Sequence, residues 1–230
     1  MLGEFLEIAL TTPDILASVE FYRKLGFSEA PVGGARRHPY TVMTDGRLYL
    51  GLHKREAISP ALCFVLPDLS RHLPALETLG IQLEFCNIGL DQFNELGFAD
   101  PDGGMVTLVE ARTYSPVHSA HVEPSHCGYF LEYRLPVRDP GESARFWESL
   151  GLIVTPAEDG RPAQASWGGI NLGLPKARRG IRPALVFENG KLGETAALLE
   201  MRGLPAREED GALRVETPEG LELILRPDTP

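Results

Sequence analysis

The sequence predicts an α+β protein made of two tandem βαβββ modules, and three observations carry that expectation. The chain repeats itself, its apolar residues change between strand and helix periods in the same order in both copies, and turn residues fall where the changes occur.

The repeat comes first. "FLEIALTTPDILASVEFYRKLGF" aligns with "FLEYRLPVRDPGESARFWESLGL". Phe5, Glu7, Asp14, Phe21 and Gly26 match Phe130, Glu132, Asp139, Phe146 and Gly151 at a constant offset of 125 residues. "LYLGLHKREAISPALCFV" aligns with "INLGLPKARRGIRPALVF", and "ADPDGGMVTLV" with "ETPEGLELIL" at an offset of 117. The offset drifts only through loops. Module one is expected over residues 1–115 and module two over 127–230, with 116–126 as linker.

Each copy reads alike. A strand (Phe5–Leu10; Phe130–Leu135) leads into a helix capped near Asp14 or Asp139, whose side chains suit the free N–H groups of a helix start. Ile15, Val19 and Tyr22 recur at helical spacing, and Gly26 supplies the stop. A hairpin follows at "TDGR" or "WGGI". Then come a strand (Ala61–Leu66; Ala184–Phe187), a second helix ending at Gly80 or Gly203, and a final pair of strands. Pro74 places the start of the second helix of module one near Ser70.

Composition narrows the function. The 230 residues carry a formal net charge of −10 and no long basic run, so nucleic acid and anionic membrane are poor partners. No stretch approaches the roughly 20 apolar residues of a membrane helix, and "MLGEFLEIALTTPD" lacks the pattern of a signal peptide. Cys63, Cys86 and Cys127 are too few and scattered for a disulfide framework or a zinc knuckle. The expectation is a soluble cytoplasmic protein, monomer or homodimer, whose partner is a small molecule.

"FADPDGGMVTLVEA" (Phe98–Ala111) tempts as a cation loop. A calcium loop of the EF-hand type needs glycine at its sixth position and glutamate at its twelfth. Counted from Asp100, those positions hold Met105 and Ala111, so the stretch reads as a turn into a buried strand.

Together these residues carry a resemblance. "D-x-x-x-S-x-x-FY-x-x-LGF" followed by "FADPDGG-x-x-x-L-x-E" resembles the vicinal oxygen chelate superfamily. That group includes glyoxalase I, extradiol dioxygenases, methylmalonyl-CoA epimerase, fosfomycin-resistance enzymes and bleomycin-resistance proteins. The match is strong in module one and departs in module two at Thr217-Pro218-Glu219-Gly220. It implies curved mixed sheets forming cups around a ligand, and in metal-dependent members it implies metal ligands on three strands. Carried over, the first position holds Glu7 and Glu132, the second Ala61 and Ala184, and the third Thr107 and Ile224, with Glu222 two residues from Ile224. That set lacks the convergent side chains a divalent ion needs, so neither metal nor other cofactor is expected.

Strand alternation puts Leu6, Ile8 and Leu10 toward the helices and Glu7 toward the cup; likewise Leu131, Tyr133 and Leu135 oppose Glu132 and Arg134. Glu7 and Glu132 are the candidate catalytic residues, as proton acceptors or as anchors for a cation. The competing reading is a neutralised carboxylate, with Arg134 beside Glu132. The candidate ligand wall is Ala61, Cys63, Met105, Thr107, Arg134, Ala184, Glu222 and Ile224, joined by Val109 and Val186. The linker residues His118, His121, Glu123, His126 and Cys127 match no compact metal motif. Arg36, Arg37 and His38 form a loop able to clamp an anion, while His53 and His72 read as surface or capping residues, and Cys63 as an inert buried thiol. The leading functional expectation is a metal-independent small-molecule binder like the bleomycin-resistance proteins. The alternative is a metal-dependent lyase, epimerase or dioxygenase with an atypical ligand set including Glu132 and Glu222; a third is a metal-free lyase or isomerase using a glutamate base.

Overall fold

The computed structural model describes residues 2–31, 38–111, 124–158 and 161–228. Two eight-stranded mixed sheets account for most of them. In the first, β1 (Glu4–Thr11), β2 (Ser28–Ala30), β3 (Tyr40–Thr44), β4 (Tyr49–His53), β5 (Ala61–Leu66), β6 (Leu83–Asn87), β7 (Glu95–Ala99) and β8 (Met105–Glu110) are ordered β2-β3-β4-β1-β5-β8-β7-β6. In the second, β9 (Tyr129–Arg134), β10 (Ile153–Thr155), β11 (Ala163–Trp167), β12 (Ile170–Leu174), β13 (Ala184–Glu188), β14 (Arg207–Glu209), β15 (Ala212–Glu216) and β16 (Glu222–Arg226) repeat that order. Helices α1 (Ile15–Lys24), α2 (Leu73–Thr78), α3 (Pro140–Ser149) and α4 (Leu192–Met201) make the crossovers. The strand–helix–three-strand order thus occurs twice in each module, and the two passes join where β1 pairs antiparallel with β5, or β9 with β13. No helix among the described residues is long and apolar enough to cross a membrane.

Local chemistry explains the elements. The Asp14 carboxylate accepts from Ala17 N at 3.1 Å, and Asp139 accepts from Gly141 N and Glu142 N. Replacing Asp14 with Ala removes one such cap, so its urea midpoint is expected to fall by the equivalent of about 1 kcal/mol. The "WGGI" hairpin closes through Gly168 and Gly169, both at positive φ, as a two-residue turn of this hand requires. The second helix of module one begins as a 3-10 turn over Leu69–His72 and becomes α2 at Leu73, with Pro74 tolerated in its first turn.

One expectation about strand faces fails, for a physical reason. β1 slips register between Phe5 and Glu7, and β9 does so between Phe130 and Glu132. The extra residue in each β-bulge reverses the facing of the residues before it. Phe5 and Phe130 therefore pack on the helix-side core, whereas Leu6 and Leu131 turn to the concave side, against Cys63, Val65 and Val109 or against Ala184, Val186, Ala212 and Ile224. Ile8, Leu10, Tyr133 and Leu135 keep the expected side.

The helix-side surfaces of both sheets contribute to one apolar core, in which Tyr22 of α1 and Trp147 of α3 are fully buried. At the junction the last turn of each module reaches the other module. Asp102, in the Asp-Pro-Asp-Gly-Gly turn, accepts from Arg138 N at 2.8 Å and Arg138 Nε at 3.0 Å, just before α3. Glu219, its counterpart in module two, accepts from the Tyr22 hydroxyl at 2.9 Å. Burial, reinforced by that neighbouring carboxylate, holds the Tyr22 hydroxyl well above the ordinary tyrosine range. The turn that tempted as a cation loop is thus folded on itself, with Asp100 Oδ1 accepting from Asp102 N and Gly104 N, and clasped to the other module.

Candidate functional site

The first cup is built around Glu7. β1 brings it opposite Cys63 of β5, and Gly51 of β4 leaves the room its side chain occupies. A Cβ at Gly51 would stand 2.5 Å from the Glu7 carboxyl carbon. The carboxylate is 1% exposed. Its Oε1 lies 3.1 Å from His53 Nε2, and its Oε2 accepts from the Tyr40 hydroxyl at 3.2 Å. His53 Nδ1 in turn lies 2.9 Å from His38 Nε2, and the Tyr40 ring packs 4.7 Å from the His53 imidazole. With Glu7 ionised, Oε1 accepts from His53 Nε2, and Nδ1 of the neutral ring then accepts from His38 Nε2. A proton can move along this chain by a change of tautomer.

A cavity of about 310 Å³ opens beside the network. Ala9, Ala61 and Met105 lie in register across β1, β5 and β8 and form a floor of mostly small side chains. Thr107 lies across from Gly97, and the Phe85 ring covers that glycine: a Cβ there would meet the ring at 2.2 Å. His53, Arg55 and Glu95 supply polar walls. Glu7 lies behind His53 and is not itself a wall.

The second cup has the same frame and other contents. Glu132 lies over Gly173 as Glu7 lies over Gly51, with a Cβ at Gly173 placed 2.6 Å from its carboxyl carbon. Its partners are Arg134, whose Nη2 donates at 3.0 Å, and Gln164, whose Nε2 donates at 2.7 Å. Pro175 stands where module one has His53. Glu222 accepts from Arg214 at 2.7 Å, with Arg207 at 3.8 Å, and Ala184, Val186, Ala212 and Ile224 pack with Leu131. The neutralised-carboxylate reading thus describes Glu132, while Glu7 faces histidines and a tyrosine.

In comparisons with family models and with curated proteins, nothing matches the chain. Solved structures do match. A catechol 2,3-dioxygenase superposes with a TM-score of 0.65 at 15% identity, covering 99% of this chain and 90% of that one. BphC, a halotolerant catechol dioxygenase, gives 0.63 at 15% identity, covering 98% and 86%. A variant of homoprotocatechuate 2,3-dioxygenase from Brevibacterium fuscum gives 0.67 at 14%, covering 99% and 72%. The chain has the vicinal oxygen chelate fold. Identities this low carry the architecture and no chemistry.

Within the vicinal oxygen chelate fold, the three strand positions tested for metal are corrected by register. Ala61 faces Ala9 and Ala184 faces Arg134; the residues across from Glu7 and Glu132 are Cys63 and Val186. The cross-strand rows are Glu7–Cys63–Thr107 and Glu132–Val186–Ile224, with one carboxylate each. Among the described residues no group of three or more His, Cys, Asp or Glu is disposed to hold a metal ion. Glu7 and His53 are turned to each other, and Glu132 and Glu222 to arginines. Among the described residues the donor set does not fit a divalent ion.

The cavity gathers Ala61, Met105 and Thr107 from the expected wall; Cys63 is buried beneath with Val65 and Val109. Arg134, Ala184, Glu222 and Ile224 belong to the second cup, where the two glutamates face arginines and the apolar residues pack with Leu131. His53 corrects its expectation most sharply, being 1% exposed instead of a surface or capping residue. The signal was present: in "LYLGLH", Leu50 and Leu52 are core, so Gly51 and His53 share the opposite face. Glu95, Arg55 and Phe85 had no comparable signal. Arg36, Arg37, His118, His121 and Glu123 lie outside the described residues. His126 donates its backbone N–H to Leu25 O, and burial pushes the Cys127 thiol up to about 12, consistent with an inert thiol.

Proposed function

We propose that the protein binds a small organic molecule in the cup of its first module, without a catalytic metal, and that the second module serves as the rigid partner of the first. One observation carries this reading: the two cups share a frame, but in the first a cavity of about 310 Å³ opens beside His53, while in the second Glu132 and Glu222 are paired with arginines. The size lies at the small end of ligand sites, and the lining, small and apolar with a few convergent polar groups, is of the usual kind. A cytoplasmic monomer suits the proposal, since fused modules supply internally the contacts that separate copies of one module make in a dimer.

Thermal-shift screening of small molecules with and without divalent ions tests the reading. Ala61→Leu, which places three more carbons on the cavity floor, is expected to weaken any hit at least tenfold while leaving the unliganded melting temperature within a few degrees. Hits that survive Ala61→Leu unchanged, or that all require an added metal, overturn it.

The His38–His53–Glu7 chain favours one second reading, a metal-free isomerase or lyase in which that chain carries a proton between the ligand and Glu7. Glu7→Gln keeps the shape but turns one carboxylate oxygen into an N–H donor. A binder is expected to retain affinity within about threefold; a proton-transfer enzyme is expected to lose turnover 10²-fold or more. Unchanged turnover in Glu7→Gln ends that second reading.

A further inference from the structure

The cavity walls point to a chemical class of ligand, and we infer that it is a small amine cation on a flat apolar body, anchored by Glu95. This rests on the cup-binding reading and adds to it the charge and shape of the ligand. Glu95 Oε2 is buried and has no hydrogen-bond partner among the described residues. Arg55 Nη1 stands 3.9 Å away, beyond hydrogen-bond reach. Arg55 balances its charge as an ion pair without donating a hydrogen bond, so the oxygen keeps an unfilled acceptor site that an entering N–H group fills.

The rest of the wall agrees. Among the described residues, the ionisable groups lining the cavity are His53, Arg55, Glu56, Glu84 and Glu95, three carboxylates with one guanidinium and one imidazole. An anion meets net repulsion there, a neutral molecule gains no charge-assisted bond, and a cation gains both field and partner. Glu95 shares its strand face with Gly97, over which Phe85 lies, so the anchor and an aromatic surface adjoin. Phe85, Ala9, Ala61 and Met105 supply apolar walls, and the aromatic face adds attraction for a nearby cation.

Three probes of one shape test this in the full-length chain: benzylamine, benzyl alcohol and benzoate, titrated by calorimetry into wild type, Glu95→Gln and Ala61→Leu. Benzylamine is expected to bind at least tenfold more tightly than benzyl alcohol, and benzoate most weakly. Glu95→Gln is expected to erase the amine preference while leaving benzyl alcohol affinity within twofold, which also shows that the cavity is intact. Benzyl alcohol or benzoate binding as tightly as benzylamine, or a preference that persists in Glu95→Gln, overturns the amine assignment and leaves the cup reading standing. No binding of any probe, or binding indifferent to Ala61→Leu, overturns both.

Discussion

Gly51→Ala is expected to destabilise the protein by roughly 3 kcal/mol and to abolish ligand binding in the first cup. The added methyl would stand 2.5 Å from the Glu7 carboxyl carbon, closer than any real contact of that kind. A glutamate side chain can swing aside, but this one is 1% exposed and tied to His53 and Tyr40. Moving it breaks both contacts within a buried polar network, and that loss outweighs the clash. His53 then loses the Glu7 contact that helps fix its ring at the cavity wall. Urea titration gives the stability change, and probe titration gives the binding. Gly173→Ala is the matched comparison: the Cβ meets Glu132 at 2.6 Å, so stability is expected to fall comparably while first-cup binding persists. Equal loss of binding in both variants refutes the assignment of separate roles to the two cups.

Trp147→Ala is expected to cost about 3–5 kcal/mol, a large share of the 5–15 kcal/mol of an ordinary domain. Trp147 is fully buried, with Phe146 edge-on at 5.3 Å, in a core to which both modules contribute. Trp147→Phe is expected to cost far less. It keeps most of the ring, and the indole Nε1 it removes has no hydrogen-bond partner among the described residues. Because the core is shared, unfolding of the alanine variant is expected to remain a single transition by fluorescence and circular dichroism. Two separated transitions show that the modules melt independently.

Much of this architecture was legible because it is periodic. The 125-residue repeat, the caps at Asp14 and Asp139 and the glycine stops at Gly26 and Gly203 each follow from local chemistry, and the elements lie where they indicate. Alternation also put Glu7 and Glu132 on the concave faces. It failed at Leu6 and Leu131, since a bulge adds a residue without leaving a mark such as glycine or proline. The site was less legible for a different reason. Glu7 and Glu132 occupy matching places in the repeat, and what separates them is who stands across the sheet: His53 and Tyr40 in one case, Arg134 and Gln164 in the other. Partners brought together from positions 32 to 46 residues apart, as in three of these four pairs, are a property of register, which a linear reading fixes only after the bulges are known. Glu95 was hidden for the same reason, its significance arising only where β7 meets Phe85 and Arg55.

The paired junction between modules, Asp102 to Arg138 and Tyr22 to Glu219, has a consequence for how such a chain can change. In an assembly of two identical polypeptides every substitution appears on both sides of the axis, so a cup cannot be filled without filling its twin. Covalent fusion lifts that obligation while the clasps preserve the shared scaffold. Each half is then at liberty to change its polar contents alone, as the arginines beside Glu132 and Glu222 and the histidines beside Glu7 illustrate.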